Sequence, residues 1–335
     1  MFKTLQSKWK GKRGRYRIGI FFLLSFFLIF ILLLIFGIWS ASNQILFPKW
    51  KGITKDLGDC NREVERVWGK KCGNIRLTKE YFFSEISVPS INGYQLPGWK
   101  VIPSENEKNF GTKKSKVIIL VHGGGSDRRE VSRYISFYLS LGMDVISFDL
   151  SCHGEAPCHF PGLSFGSRES RDVLSILVYV KKQYKEIYMF GSSVGGSSIL
   201  INLPIISGVN AIIVENPMIS FERLISDSKE AKELPNFMID LLVNLVLLRG
   251  NFDTMLSPEN SMKISNGIPI LLIHSLQDQI VSYHQSEYLS ELYLGPVELW
   301  FPSYGEHGLI WNSNPAEYED KIREFIGSYQ NKRGE

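Results

Sequence analysis

Residues 187–196 read Ile187-Tyr188-Met189-Phe190-Gly191-Ser192-Ser193-Val194-Gly195-Gly196. Four apolar residues, Ile187–Phe190, have the length and bulk of a buried strand, and Val194–Leu203 has the composition of a helix. Between them lies G-x-S-x-G, with Ser193 at its centre. A serine exposed on so sharp a strand-to-helix turn needs small neighbours two residues to either side, and these are Gly191 and Gly195. The pentapeptide alone is common. In its strand–turn–helix setting it makes Ser193 a candidate nucleophile.

Working outward, short apolar strands alternate with helical stretches. Strands are expected at Val117–Val121, Met143–Phe148, Ala211–Val214, Ile268–His274 and Val297–Phe301. Helices are expected at Arg128–Leu141, Ser167–Lys182, Tyr283–Leu294 and Pro315–Tyr329. This alternation predicts an α/β fold with a mostly parallel central sheet and helices on both faces. A hairpin, Tyr81–Val88 and Tyr94–Ile102 around Asn92-Gly93, precedes it, and a charged loop (103–116) follows the hairpin. Residues 217–266 interrupt the alternation. They hold an apolar helix, Phe237–Leu248, and are either a lid or simple surface packing.

A serine hydroxyl needs a histidine base, and the base needs an acid to hold its tautomer. Where this turn carries catalysis, the chain order is serine, acid, histidine. Of the six histidines, His274, His284 and His307 follow Ser193. His274 ends a strand, and Asp278 lies four residues later, in a loop at a strand's C-terminal end, where open α/β sheets place functional residues. His284 falls on the next helix. His307 lies in the loop after the last strand, so Ser193, Asp278 and His307 are the expected triad. Glu215 is the fallback acid, and Glu306 is a weaker candidate to orient the ring. For an oxyanion, the N–H of Val194 at a helix start is one expected donor. Gly124, or next Gly123, in Leu120-Val121-His122-Gly123-Gly124-Gly125 is the other, and His122 is read as pinning that loop. Asp149 with His153 is too small a set for a metal site. The chemistry requires no cofactor or metal.

The N-terminus has a different character. Residues 1–17 carry seven Lys and Arg and no acid. The net charge of +4 is therefore a property of this tail, and the remainder is slightly acidic, which argues against a nucleic-acid surface. Residues 18–39 carry no charge. As a helix they span about 33 Å, enough for a hydrocarbon core of about 30 Å. The basic flank predicts a cytoplasmic N-terminus, with the rest of the chain beyond the membrane. The expected organisation is a basic cytoplasmic tail (1–17), a transmembrane anchor (18–39), a connector (40–80) and a folded domain (81–330). A cleaved signal peptide, cut near Trp39-Ser40-Ala41-Ser42, is the rival, although the apolar run is long for one. Four cysteines form two close pairs, Cys60 with Cys72 and Cys152 with Cys158. Outside the cytoplasm they could be disulfides. Four cysteines allow three pairings, and free buried thiols are the alternative.

Taken together, VHGGG (121–125), DLSCHGEA (149–156), GSSVGG (191–196), VENPMIS (214–220), HSLQDQIV (274–281) and GEHG (305–308) resemble the α/β-hydrolase superfamily over residues 80–330. Within it, the chain resembles membrane-anchored serine hydrolases of the Bem46-like type. The resemblance implies an ester, thioester or amide hydrolase, often acting on acyl lipids. Cys152 stands where glycine is frequent, Ser151 where arginine is, and Ser275 where glycine is. These departures touch loop shape and specificity rather than the triad. The leading expectation is hydrolysis of an acyl or lipid-type ester or thioester through an acyl-enzyme on Ser193. A serine peptidase or amidase with the same triad is the alternative within enzymes. A non-catalytic binding protein on the same fold is the alternative from another class.

Overall fold

The computed structural model describes residues 2–48, 57–103, 114–159, 161–265 and 267–331. One eight-stranded sheet organises the domain: β1 (Phe82–Pro89), β2 (Gln95–Ile102), β3 (Lys114–Val121), β4 (Asp144–Phe148), β5 (Tyr184–Ser192), β6 (Ala211–Glu215), β7 (Ile270–Ile273) and β8 (Val297–Trp300). Their order across the sheet is β1-β2-β4-β3-β5-β6-β7-β8. The hairpin β1–β2 and the β2–β4 pair are antiparallel, and the remaining pairs are parallel.

The two faces of the sheet follow from the two-residue period of a strand. On β3, Val117, Ile119 and Val121 join one core, while Ile118 and Leu120 join the other. The first core is closed by Val173, Ile176 and Leu177 of helix Glu169–Lys181, Ile199 and Leu200 of helix Val194–Ile201, and Leu289 of helix His284–Leu292. The second is closed by Tyr134, Ile135 and Tyr138 and by Tyr318, Ile322 and Phe325 of helix Pro315–Asn331. A strand buried on both faces reads as a continuous apolar run, which is why β3 to β7 stand out in the sequence.

Three of the departures from expectation have a physical reason. Strand β3 begins at Lys114, so the end of the expected charged loop pairs with β5, Lys114 facing Tyr184 and Lys116 facing Glu186. Residues 104–113 of that loop lie outside the described residues. The expected helix Arg128–Leu141 is a 3₁₀ helix, Glu130–Tyr134, followed by a short α-helix, Ile135–Ser140. Its first turn is pre-empted by carboxylates: Asp127 accepts from the Arg129 N–H and Asp149 from the Arg128 N–H. These hold the chain in a turn that competes with the helix.

The third concerns the N-terminal helix, which runs unbroken from Phe2 to Leu46. Its Ile20–Leu46 portion is long and apolar enough to cross a membrane. Seven residues assigned to the connector are thus helical, because they pack. Ser42 and Leu46 are fully buried, and Leu46 clusters with Phe221 and Val246. Of the remaining connector, 49–56 lie outside the described residues, and Arg62–Trp68 forms a helix whose first turn is capped by Asn61. The insertion between β6 and β7 holds helices Phe221–Ser226, Lys229–Lys232, Asn236–Gly250 and Pro258–Met262, three of them started by serine caps at 220, 228 and 257. Cys60 is bonded to Cys72 and Cys152 to Cys158.

Candidate active site

At the end of β5 the backbone of Ser193 takes φ 50° and ψ −118°, outside the regions open to most side chains. Holding a serine there costs on the order of 1–3 kcal/mol. The surroundings enforce it. A Cβ on Gly191 would lie 2.6 Å from the Gly196 nitrogen, and one on Gly195 would collide with the carbonyls of Val121 and His122. The Ser193 N–H donates to the Glu215 carbonyl at 2.8 Å, tying the turn to the end of β6.

Three side chains from three loops meet at this point. Ser193 Oγ lies 2.9 Å from His307 Nε2, and His307 Nδ1 lies 2.6 Å from Asp278 Oδ2. A carboxylate can only accept, so Nδ1 carries the proton and Nε2 is the acceptor for the hydroxyl. Asp278 Oδ1 accepts from the N–H groups of Ile280 and Val281 at 2.8 and 2.9 Å. Burial opposes the Asp278 charge, but His307 and His274 outweigh it and hold the carboxyl below the usual aspartate range. For His307, burial favours the neutral ring. Asp278, with Glu215 and Glu130 further off, prevails and raises it above 6.5.

Glu215 and Glu306 do not enter this series. Glu215 is fully buried, and its carboxylate accepts from the Tyr318 hydroxyl. Glu306 is exposed and makes no side-chain hydrogen bond among the described residues. His284 pairs with Glu287 on the surface. His274 had no assigned role in the sequence, yet its Nε2 lies 2.9 Å from the Val281 carbonyl and 3.3 Å from Asp278 Oδ2, and its Nδ1 lies 2.7 Å from Ser286 Oγ.

The glycine loop after β3 separates the two expected oxyanion donors. The Gly123 N–H is taken by Glu130 Oε2 at 2.9 Å, which removes Gly123 as a donor, and the Gly125 N–H is taken by His153 Nε2 at 2.8 Å. The N–H of Gly124, between them, has no partner among the described residues. His153 is held in turn by the Ser151 carbonyl. His122 donates from Nδ1 to the Gly123 carbonyl and accepts the Leu150 N–H at Nε2. Asp149 binds Arg128, fully buried beneath it. Both imidazoles are therefore committed to loop geometry. Glu130 and His153 clamp the loop on either side of Gly124, a role nothing in local spacing signals.

Above these groups is a cavity of about 500 Å³. Leu163, Phe165, Leu224 and Ile280 make much of its wall. Trp68 of the connector and Gln44, Ile45 and Pro48 at the end of the N-terminal helix complete it. The arrangement can accept an acyl chain beside a hydroxyl paired with a base, with the free N–H of Gly124 and the helix-start N–H of Val194 nearby.

The strand order, the sharp turn after β5 and loops converging at the strands' C-terminal ends define the α/β-hydrolase fold. No family model matches the chain. Among curated proteins it is similar to two uncharacterised bacterial proteins. It is 25% identical over 248 residues to YqkD of Bacillus subtilis, covering 71% of this chain and 77% of that one. It is also 25% identical over 248 residues to YfhR of Escherichia coli K12, covering 72% and 79%. Among solved structures it superposes on the Pyrococcus furiosus esterase Pf2001 with a TM-score of 0.62 at 19% identity, over 82% of this chain and 97% of that one. The acylaminoacyl peptidase of Pyrococcus horikoshii gives 0.56 at 20% identity, over 76% of this chain and 42% of the peptidase. At these identities the likeness establishes the shared fold.

Proposed function

We propose that this protein is a serine hydrolase, anchored in a membrane by its N-terminal helix with the domain on the extracytoplasmic side, that cleaves carboxylic esters or thioesters of acyl or lipid type. The observation that carries this reading is the unbroken series Ser193 Oγ–His307–Asp278 at 2.9 and 2.6 Å. Ser193 attacks the carbonyl carbon while His307 Nε2 takes its proton. The negative oxygen is met by the N–H groups of Val194 and Gly124. His307 returns the proton to the departing alcohol or thiol, and water, activated by the same ring, releases the acid. The apolar cavity wall supports an acyl group over a charged one, in line with the Bem46-like resemblance.

The test is labelling by a fluorophosphonate, followed by a panel of short-chain esters, long-chain esters and peptide amides. Wild type should be labelled and Ser193→Ala should not, with turnover lower by about 10⁴-fold or more. A folded wild type that resists the label would sink the reading. Peptide cleavage faster than ester cleavage would replace it with a peptidase.

A further inference from the structure

Helix Asn236–Gly250 is apolar on two opposite sides. One side, Ile239, Val246 and Gly250, is buried. The other carries Phe237, Leu241 and Leu248, which are 62%, 49% and 80% exposed. At 100° per residue these three, with Asn244, fall on one stripe along the helix. Apolar residues aligned in this way on an exposed helix mark a surface that meets a partner or a membrane more often than one that faces water alone.

The position of this helix identifies the partner. It packs on the end of the N-terminal helix: Arg249 stacks 3.8 Å over the ring of Trp39 and bonds the Trp39 carbonyl, Ser42 and Asn43. Val246 and Leu247 pack with Leu46. The exposed row is thus attached to the segment that leaves the lipid. Trp39 and Arg249 make a pair of the kind that sits at a membrane–water boundary. The same end of the N-terminal helix supplies Gln44, Ile45 and Pro48 to the cavity holding Ser193.

We propose that helix Asn236–Gly250 lies in the membrane surface with Phe237, Leu241 and Leu248 among the lipid chains, and that the substrate is an acyl ester resident in that bilayer, entering the cavity past the end of the anchor. The proposal rests on the anchored-hydrolase reading above and adds the source of the substrate and the surface that meets it. An interfacial helix docked on a membrane span holds the cavity beside the lipid, so the acyl chain moves from one apolar medium to another.

The test uses the full chain in phosphatidylcholine vesicles. All four cysteines are paired, so Leu248→Cys can be labelled selectively with a nitrobenzoxadiazole dye. Leu294→Cys, 73% exposed at the opposite end of the sheet, is the control. The dye at 248 should shift to the blue and be quenched by lipids carrying a nitroxide on the acyl chain, while the dye at 294 should respond to neither. Equal exposure to water at both sites overturns the proposal. Shielding at 248 without quenching by lipid also overturns it, and indicates a protein partner such as a second copy of this chain.

A second arm pairs a short-chain soluble ester with an ester dispersed in the vesicle. Phe237→Asp with Leu248→Asp should lower turnover of the dispersed ester on the order of 10-fold and leave the soluble ester unchanged. Parallel loss of both overturns the assignment. Wild type inactive on both esters, with the quenching pattern intact, would remove the hydrolase reading and the substrate with it, while the membrane contact would stand.

Discussion

Asp278 faces two histidines: the oxygen that accepts from His307 at 2.6 Å is also 3.3 Å from Nε2 of His274. His274 is fully buried, fixed by Ser286 at Nδ1 and donating from Nε2 to the Val281 carbonyl, so it braces both the carboxylate and the loop whose N–H groups hold it. Replacing it by phenylalanine keeps the volume and removes the donor. The His274→Phe variant should lose about 10-fold in kcat with KM nearly unchanged, as expected for a small displacement of a catalytic group. The Asp278 carboxylate becomes a stronger acceptor, so the acid limb of the pH profile should move upward. His274→Gln, whose amide can donate, should recover part of the rate. An unshifted limb with a lowered melting temperature would reduce His274 to a packing residue.

The direction of the His307 shift sets a pH dependence. The ring works as a base only when neutral, and Asp278 raises it above 6.5 despite burial. Activity should therefore fall as pH drops through a value above 6.5. In Asp278→Asn the supporting charge is gone and burial dominates, so the limb should move to lower pH while the rate at its plateau drops about 10⁴-fold. A log kcat/KM profile for both proteins decides this.

Gly124 offers a direct probe of the proposed oxyanion site. A Cβ there would sit 2.6 Å from Cγ2 of Val194, so an alanine forces either the loop or the Val194 side chain to shift, and both lie where the oxyanion is proposed to bind. Gly124→Ala should lower kcat by about 10²- to 10³-fold, the usual cost of one lost donor. Fluorophosphonate labelling should slow in parallel while the melting temperature barely moves.

Much of this arrangement was legible because its signals are local. The turn at 191–195 and the apolar runs of β3 to β7 each depend on residues within a few positions of one another, while the serine–acid–histidine series, which spans 114 residues, was legible only through its fixed chain order. What escaped was long-range. The clamp from His153 to Gly125 spans 28 residues, and Arg249 reaches Trp39 across 210. Residues 40–46 are too polar to extend an apolar run, and only the domain they pack against keeps them helical. The 3₁₀ start at Glu130 depended in part on Asp149, a carboxylate from another loop.

That packing makes two truncations diverge. A chain beginning at Ser40 keeps Ser42, Leu46 and the cavity wall, and should turn over a soluble ester as the full chain does. A chain beginning at Leu57 loses a fully buried leucine, a burial of about 1.5–3 kcal/mol, and should melt roughly 5 °C lower. With Ile45 and Pro48 also gone, turnover of long-chain esters should fall more than that of short ones. Equal behaviour of the two truncations would contradict the packing seen at Leu46.

Both sulfur crosslinks adjoin the cleft that holds Ser193 rather than the outlying hairpin. One brackets the short helix that carries Trp68, and the other closes the bend that presents His153 to the glycine loop. Newly made protein still in a reducing environment would carry its nucleophile but lack these two stitches. On the extracytoplasmic topology proposed above, both segments would be fastened by oxidation only after the chain has left that environment.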